Sequence, residues 1–218
     1  PDGRQLVSGG RGEGALVWDV NSGQVLNTLK HSREVSRVTY SIDGSFILTF
    51  SWGEIFVWNK QSGKILKSFA IEHSQVFFTK QQNSFFAVGH DAKGPIFQEW
   101  DLNTGAKIRD LQKTDNAAVY SINISPDNNF LVAGYLDGSL KIWDITSEKH
   151  IKTFLGHHDR VETVVFSPNN KLLASGSNDG STKLWNISTG KEIVSFFGIT
   201  KSKWVTTTHE GYYISSDS

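Results

Sequence analysis

Cysteine and methionine are both absent from the 218 residues. Without cysteine there are no disulfides, no thiol catalysis and no thiolate-ligated zinc, and the redox compartment stays open. The missing methionine, in a chain that starts PDGRQL, leads to the expectation that residue 1 is not the original start. An excess of either charge is also lacking. Lys and Arg total 22, as do Asp and Glu, so nothing draws the chain toward phosphate backbones or anionic membranes. No apolar run approaches the roughly 20 residues of a membrane helix, and no basic, apolar leader opens the chain. The expected setting is the cytoplasm, with neither nucleic acid nor membrane as partner.

What is present is enough apolar material, 38% of residues, to bury a substantial core. Its arrangement repeats. "DGSLKIWD" at 137–144 returns as "DGSTKLWN" at 179–186, an offset of 42 residues. Tryptophans followed by Asp or Asn extend the pattern: Trp18, Trp58, Trp100, Trp143 and Trp185 are separated by 40, 42, 43 and 42 residues. A period of this size marks an array whose units cannot bury their apolar faces alone, so stacking is compulsory.

Within a period the pattern is that of strands. In the clearest unit "RVETVVFS" (160–167) alternates, "LLASGS" (172–177) is apolar and small, "STKLWN" (181–186) alternates again, and "EIVSFF" (192–197) closes the unit. The connections are rich in Ser, Pro, Asn, Asp and Gly, and Asn178-Asp179-Gly180 sits where the second strand must reverse into the third. Helical periodicity is nowhere convincing, so the chain is predicted to be all-β.

"GHHDRVETVVFSPNNKLLASGSNDGSTKLWN" (156–186), with its partner "SINISPDNNFLVAGYLDGSLKIWD" (121–144), resembles the WD-repeat β-propeller family, whose unit runs from a Gly-His to a Trp-Asp pair. The resemblance covers nearly the whole chain and implies four-stranded antiparallel blades. The expected division is a partial blade at 1–29, blades at about 30–70, 71–111, 112–155 and 156–197, and a partial blade at 198–218. The second unit keeps Lys30-His31 and Trp58 but has Trp52 near the family's turn aspartate. The third carries an insertion, "HDAKGPIFQ" (90–98). These pieces do not sum to whole blades, so the expectation is an incomplete ring from a longer protein, such as the seven-bladed rings common in the family. The alternative is a smaller ring in which "WVTTT" (204–208) supplies the inner strand missing from the first blade. The ending "WVTTTHEGYYISS" also resembles the close of WD-repeat arrays in large bacterial proteins with further effector or peptidase domains.

His157, Ser175, Asp179 and Trp185 contain the ingredients of a nucleophilic triad. The resemblance implies a structural role instead: a hydrogen-bonded tetrad in which imidazole bridges Asp and Ser while Ser reaches the indole. Ser175 lies within a strand pattern rather than on a strand-to-helix elbow, and the fourth unit has Ala133 in its place. His90 and Asp91 are neighbours and His73 is distant, which matches no metal-ligand spacing, so neither metal nor cofactor is expected.

Such propellers use the rim of the ring. Matching the units places Arg160, Asn178, Glu34, Trp52 and Leu136 there, with Trp52 and Arg160 as the residue types of interface hot spots. The opposing reading has Trp52 folded onto its own blade over the incomplete tetrad. The expected function is a non-catalytic scaffold for a protein or peptide partner. The alternatives are an enzyme with its site in the central channel, or a regulatory sensor domain of a larger effector or peptidase protein. "VSRVTYS", "VFFTK", "VYSINIS" and "VETVVFS", the inner strands, offer mainly valine, serine and aromatics, with Glu162 and Arg37 unrepeated, which argues against convergent channel chemistry.

Overall fold

The computed structural model describes residues 2–12, 14–41, 43–70, 73–79, 84–91, 94–111, 117–198, 203–208 and 210–216, with the side chains of all but 73–75, 90, 91 and 94. Every regular element among them is a strand. The first sheet holds β1 (Gln5–Ser8), β2 (Gly14–Asp19) and β3 (Val25–Lys30). The second holds β4 (Arg37–Tyr40), β5 (Phe46–Ser51), β6 (Glu54–Asn59) and β7 (Ile65–Ala70). The third holds β8 (His73–Phe78), β9 (Ser84–Asp91), β10 (Gly94–Asp101) and β11 (Lys107–Asp110). The fourth holds β12 (Val119–Ile124), β13 (Phe130–Tyr135), β14 (Leu140–Asp144) and β15 (Lys149–Phe154). The fifth runs through β16 (Val161–Phe166), β17 (Leu172–Ser177), β18 (Ser181–Asn186), β19 (Glu192–Gly198), β20 (Trp204–Thr208) and β21 (Tyr213–Ser215). Among the described residues the pairings of known register are antiparallel between sequence neighbours, and three of the five sheets have four strands, which bears out the all-β reading with four-stranded antiparallel blades. Among the described residues no helix is long and apolar enough to cross a membrane.

The sheets belong to two compact units, one carrying the first three and the other the fourth and fifth. In each unit the apolar residues of one sheet face are covered by the next sheet. Ala15, Val17 and Leu29 of the first sheet pack with Ile47 and Trp58 of the second. Val57 and Phe69 of the second pack with Val76 and Phe85 of the third. In the other unit Val132, Ile142 and Phe154 of the fourth sheet pack with Val161, Val164, Leu173 and Trp185 of the fifth. Alternation explains the pattern: a strand side chain and its second neighbour share a face, so each strand supplies one set to each side. The approach of the fourth and fifth sheets is close enough to require glycine at Gly134, where an added Cβ would stand 2.6 Å from Val161 Cγ1 and 2.5 Å from Ser121 Oγ.

The segment expected as a partial sixth blade is placed differently. Strand β20 pairs along β19, with Phe197 opposite Val205 and Gly198 opposite Trp204, and β21 pairs along β20. "WVTTT" therefore extends the outer edge of the fifth sheet and does not supply an inner strand to the three-stranded first sheet. The physical reason is that two short strands form no stable sheet alone, whereas the edge of β19 offers a full row of unpaired backbone groups.

Candidate functional site

In the fifth sheet His157, Ser175, Asp179 and Trp185 converge. Trp185 Nε1–H donates to Ser175 Oγ over 2.8 Å, and Ser175 Oγ lies 2.8 Å from His157 Nε2. The other imidazole nitrogen, Nδ1, lies 2.9 Å from Asp179 Oδ2. With the proton on Nδ1, every donor in this chain has an acceptor. The turn between β17 and β18 presents the carboxylate: Oδ1 accepts from the amide and hydroxyl of Ser181, and Oδ2 from the amide of His158. Burial pushes the Asp179 carboxyl pKa up, but the hydrogen bonds from Ser181, His158 and His157 outweigh it and hold the group well below the usual carboxylate range. Burial pushes the His157 imidazole down, against the opposing pull of Asp179.

The order Asp–His–Ser is also that of a hydrolytic triad, so access decides between the two readings. Ser175 is 1% exposed and His157 6%, and the indole of Trp185 occupies one acceptor site of the serine oxygen. A substrate carbonyl has no path to that oxygen without opening the sheet.

The other sheets keep parts of this arrangement. In the second, Trp58 Nε1–H donates to Thr49 Oγ1 over 2.8 Å, and Thr49 Oγ1 lies 3.0 Å from His31 Nε2. In the first, Trp18 Nε1–H donates to Ser8 Oγ over 2.8 Å. Sequence reasoning missed Thr49 and Ser8, although a hydroxyl residue nine positions before Trp58 and ten before Trp18, as Ser175 is before Trp185, is the available signal. Ala133 occupies the serine position of the fourth sheet, opposite Lys141 as Ser175 is opposite Lys183.

Two further buried polar groups were not legible. Lys183 Nζ donates to Glu192 and to Ser195, which also contacts Glu192. In the third sheet Glu99, 4% exposed, accepts from Ser84 Oγ at 2.7 Å and pairs with Arg109 Nε at 2.8 Å. Glu99 directly precedes its ruler tryptophan, a position held by Val57, Ile142 and Leu184 in other sheets.

At the end of the second sheet, Trp52 replaces the turn aspartate. One residue fewer separates the Phe50–Ile55 pair than separates Gly176 from Thr182, so β5 and β6 are joined by Trp52 and Gly53 alone. Both have positive φ, 43° and 82°, as a type I′ hairpin turn requires. Such a φ is uncommon for a large side chain. Trp52 is 69% exposed, and the guanidinium of Arg33 lies 5.3 Å from its ring centre, so it does not fold down over His31. His31 is covered instead by Phe56 and Trp58, at ring separations of 4.8 and 5.2 Å. Glu34 pairs with Arg11 Nε at 3.3 Å, and the loops are tied by Val35 N–H to Gly10 O and Ser36 N–H to Phe50 O. Arg11, Arg33, Glu34 and Trp52 thus share one surface at the end of the first two sheets.

In the other unit, the Arg160 guanidinium lies 5.1 Å from the ring centre of Tyr120 and pairs with Glu162. The amide of Asn178, an exposed residue, donates to Arg160 O. Leu136, half exposed, stands at the corresponding turn of the fourth sheet, its amide donating to Ala118 O. Among the described residues no three His, Cys, Asp or Glu side chains are grouped to hold a metal ion. The side chains of His73, His90 and Asp91 lie outside the described residues.

The sequence pattern of the family described as "WD domain, G-beta repeat" matches residues 23–59, 105–144 and 148–186, more than half of the chain. Autophagy-related protein 16 of Arabidopsis thaliana is 27% identical over 163 residues, covering 73% of this chain and 31% of that protein. WD repeat-containing protein 26 homolog of Drosophila melanogaster is 28% identical over 179 residues, covering 71% and 27%. Small ribosomal subunit protein RACK1 of Drosophila melanogaster is 24% identical over 158 residues, covering 69% and 36%. The chain thus spans about a third or less of the length of these relatives.

Proposed function

Because the chain belongs to the WD-domain, G-beta-repeat family, we propose that it is a non-catalytic scaffold that binds a protein or peptide partner, with Trp52 at the centre of the contact. The observation that carries this reading is the exposed indole held in a left-handed turn under the guanidinium of Arg33. Strain of this kind persists where the surroundings over-determine it, and it clusters at binding sites. Trp and Arg are also the side chains in which binding energy concentrates, because a rigid, amphipathic group loses little entropy on docking. The names of the relatives, one a ribosomal subunit protein, support a role within assemblies.

The tetrad of His157, Ser175, Asp179 and Trp185 is read as structural, holding the turn that presents Asn178 beside Arg160. Equal numbers of acidic and basic residues support a protein partner over nucleic acid or a membrane surface, and a cytoplasmic setting belongs to the same proposal. The limited span of the relatives supports action within a larger protein.

The test is capture of partners on immobilised protein, wild type against Trp52→Ala, from an extract of the source cells. At least one protein should be retained by the wild type and lost from the variant, with the melting temperature of the variant unchanged. Identical retention by both would remove Trp52 from the contact.

A further inference from the structure

Among the described residues two arginine side chains lie over an aromatic ring at the end of a sheet, and their charges are met differently. The guanidinium of Arg160, over Tyr120, takes its carboxylate from the chain itself, at Glu162. The guanidinium of Arg33, 5.3 Å from the ring centre of Trp52, pairs with no described carboxylate. Its sequence neighbour Glu34 is directed instead to Arg11, on the loop between β1 and β2.

The backbone explains this division. Val35 N–H donates to Gly10 O, which ties the 31–36 segment to the loop that carries Arg11. Ser51 Oγ donates to Arg33 O over 3.4 Å, and Ser36 N–H donates to Phe50 O, which tie the same segment to the hairpin that carries Trp52. Held between the two, adjacent residues with side chains on opposite sides send Glu34 to one loop and Arg33 to the other. Arg37, the first residue of β4 and opposite Phe50, is a second exposed arginine at this end without an ion pair. Glu54, exposed at the start of β6, pairs with neither arginine.

The indole shields one face of the Arg33 guanidinium from water and leaves its N–H groups directed outward in the plane. Such a fork matches the two oxygens of a carboxylate, and its stacking on a ring fixes the orientation before anything binds. At Tyr120 the same arrangement is already filled by Glu162; at Trp52 it is open.

We propose that the segment bound at Trp52 is a peptide stretch with an Asp or Glu side chain whose carboxylate pairs with Arg33, beside an apolar residue that packs on the indole. This rests on Trp52 being the contact residue and adds the chemical class of the occupant. Charge complementarity selects it: a cation held without its counter-ion gains most from a partner that supplies one.

The probe is a random peptide library displayed on phage through its C-terminus, so that carboxylates come from Asp and Glu side chains and not from chain ends. It is panned on wild type and on Trp52→Ala. Peptides retained by the wild type and lost from Trp52→Ala should be enriched in Asp and Glu beside an apolar residue. A synthetic peptide from that pool should bind the wild type about fivefold more tightly than its Asn or Gln counterpart, read by fluorescence anisotropy. Toward Arg33→Gln the two peptides should bind alike, and Arg33→Glu should prefer the amide form. Melting temperatures equal to that of the wild type show that these exposed substitutions leave the fold intact, and Arg33→Ala serves in place of a glutamine variant that melts early. A pool without acidic enrichment, an amide peptide that binds the wild type equally well, or an acidic preference that survives in Arg33→Gln would each overturn the role of Arg33 while leaving Trp52 as the contact. Identical pools from wild type and Trp52→Ala would remove the contact itself, and the carboxylate receptor with it.

Discussion

The carboxylate of Asp179 stands 2.9 Å from Nδ1 of His157, a contact that joins the β17–β18 turn to the segment leading into β16 and closes the chain of hydrogen bonds that ends at Trp185. Removing it leaves the imidazole and the amides of His158 and Ser181 without their acceptor. Asp179→Ala is therefore expected to destabilise the protein by about 1–3 kcal/mol, the usual cost of stranding buried donors. Chemical denaturation measures it, and an unchanged midpoint would show that the tetrad carries no stability.

Acid should weaken the fold in two stages. Burial lowers the pKa of His31, and of His157 against the pull of Asp179, so both imidazoles are held neutral in the folded chain. A histidine with a depressed pKa contributes stability that is complete above its unfolded value of about 6.5 and is lost as pH falls through the folded value. The depressed carboxyl of Asp179 adds a second loss, beginning below its unfolded pKa of about 3.9. The urea midpoint should fall between about pH 7 and pH 5, and again below about pH 4. A midpoint flat from neutrality to about pH 5 would contradict the burial of neutral imidazoles.

Trp52→Asn separates function from stability. Asparagine tolerates positive φ, and the turn becomes Asn-Gly, the preferred pair for a two-residue hairpin. The variant should be more stable by about 1 kcal/mol, less whatever the Arg33 contact contributes, while partner capture is lost. A lower melting temperature would mean that the indole supports the sheet and is not held for binding.

Glu99 is an acid at a core position. Glu99→Ala removes the acceptor of Ser84 and the partner of Arg109, and should cost an amount near the low end of about 3–5 kcal/mol, since Arg109 is partly exposed. The double variant Glu99→Leu, Arg109→Leu should recover part of the loss by restoring the aliphatic character seen at Val57 and Leu184. Equal melting of Glu99→Ala and wild type would refute the pairing.

The sequence by itself determined the repeat and the strand pattern. The spacing of Trp18, Trp58, Trp100, Trp143 and Trp185, with period-two alternation between them, is local information, and local backbone geometry converts it directly into strands with defined faces. The positions of His157, Ser175, Asp179 and Trp185 were legible through the resemblance of residues 156–186 to the WD-repeat unit. The tertiary structure alone decided what meets across sheets and loops. Arg33 over Trp52, Arg11 beside Glu34, the buried Glu99 and the pairing of β20 on β19 join elements whose separation in sequence carries no periodic signal.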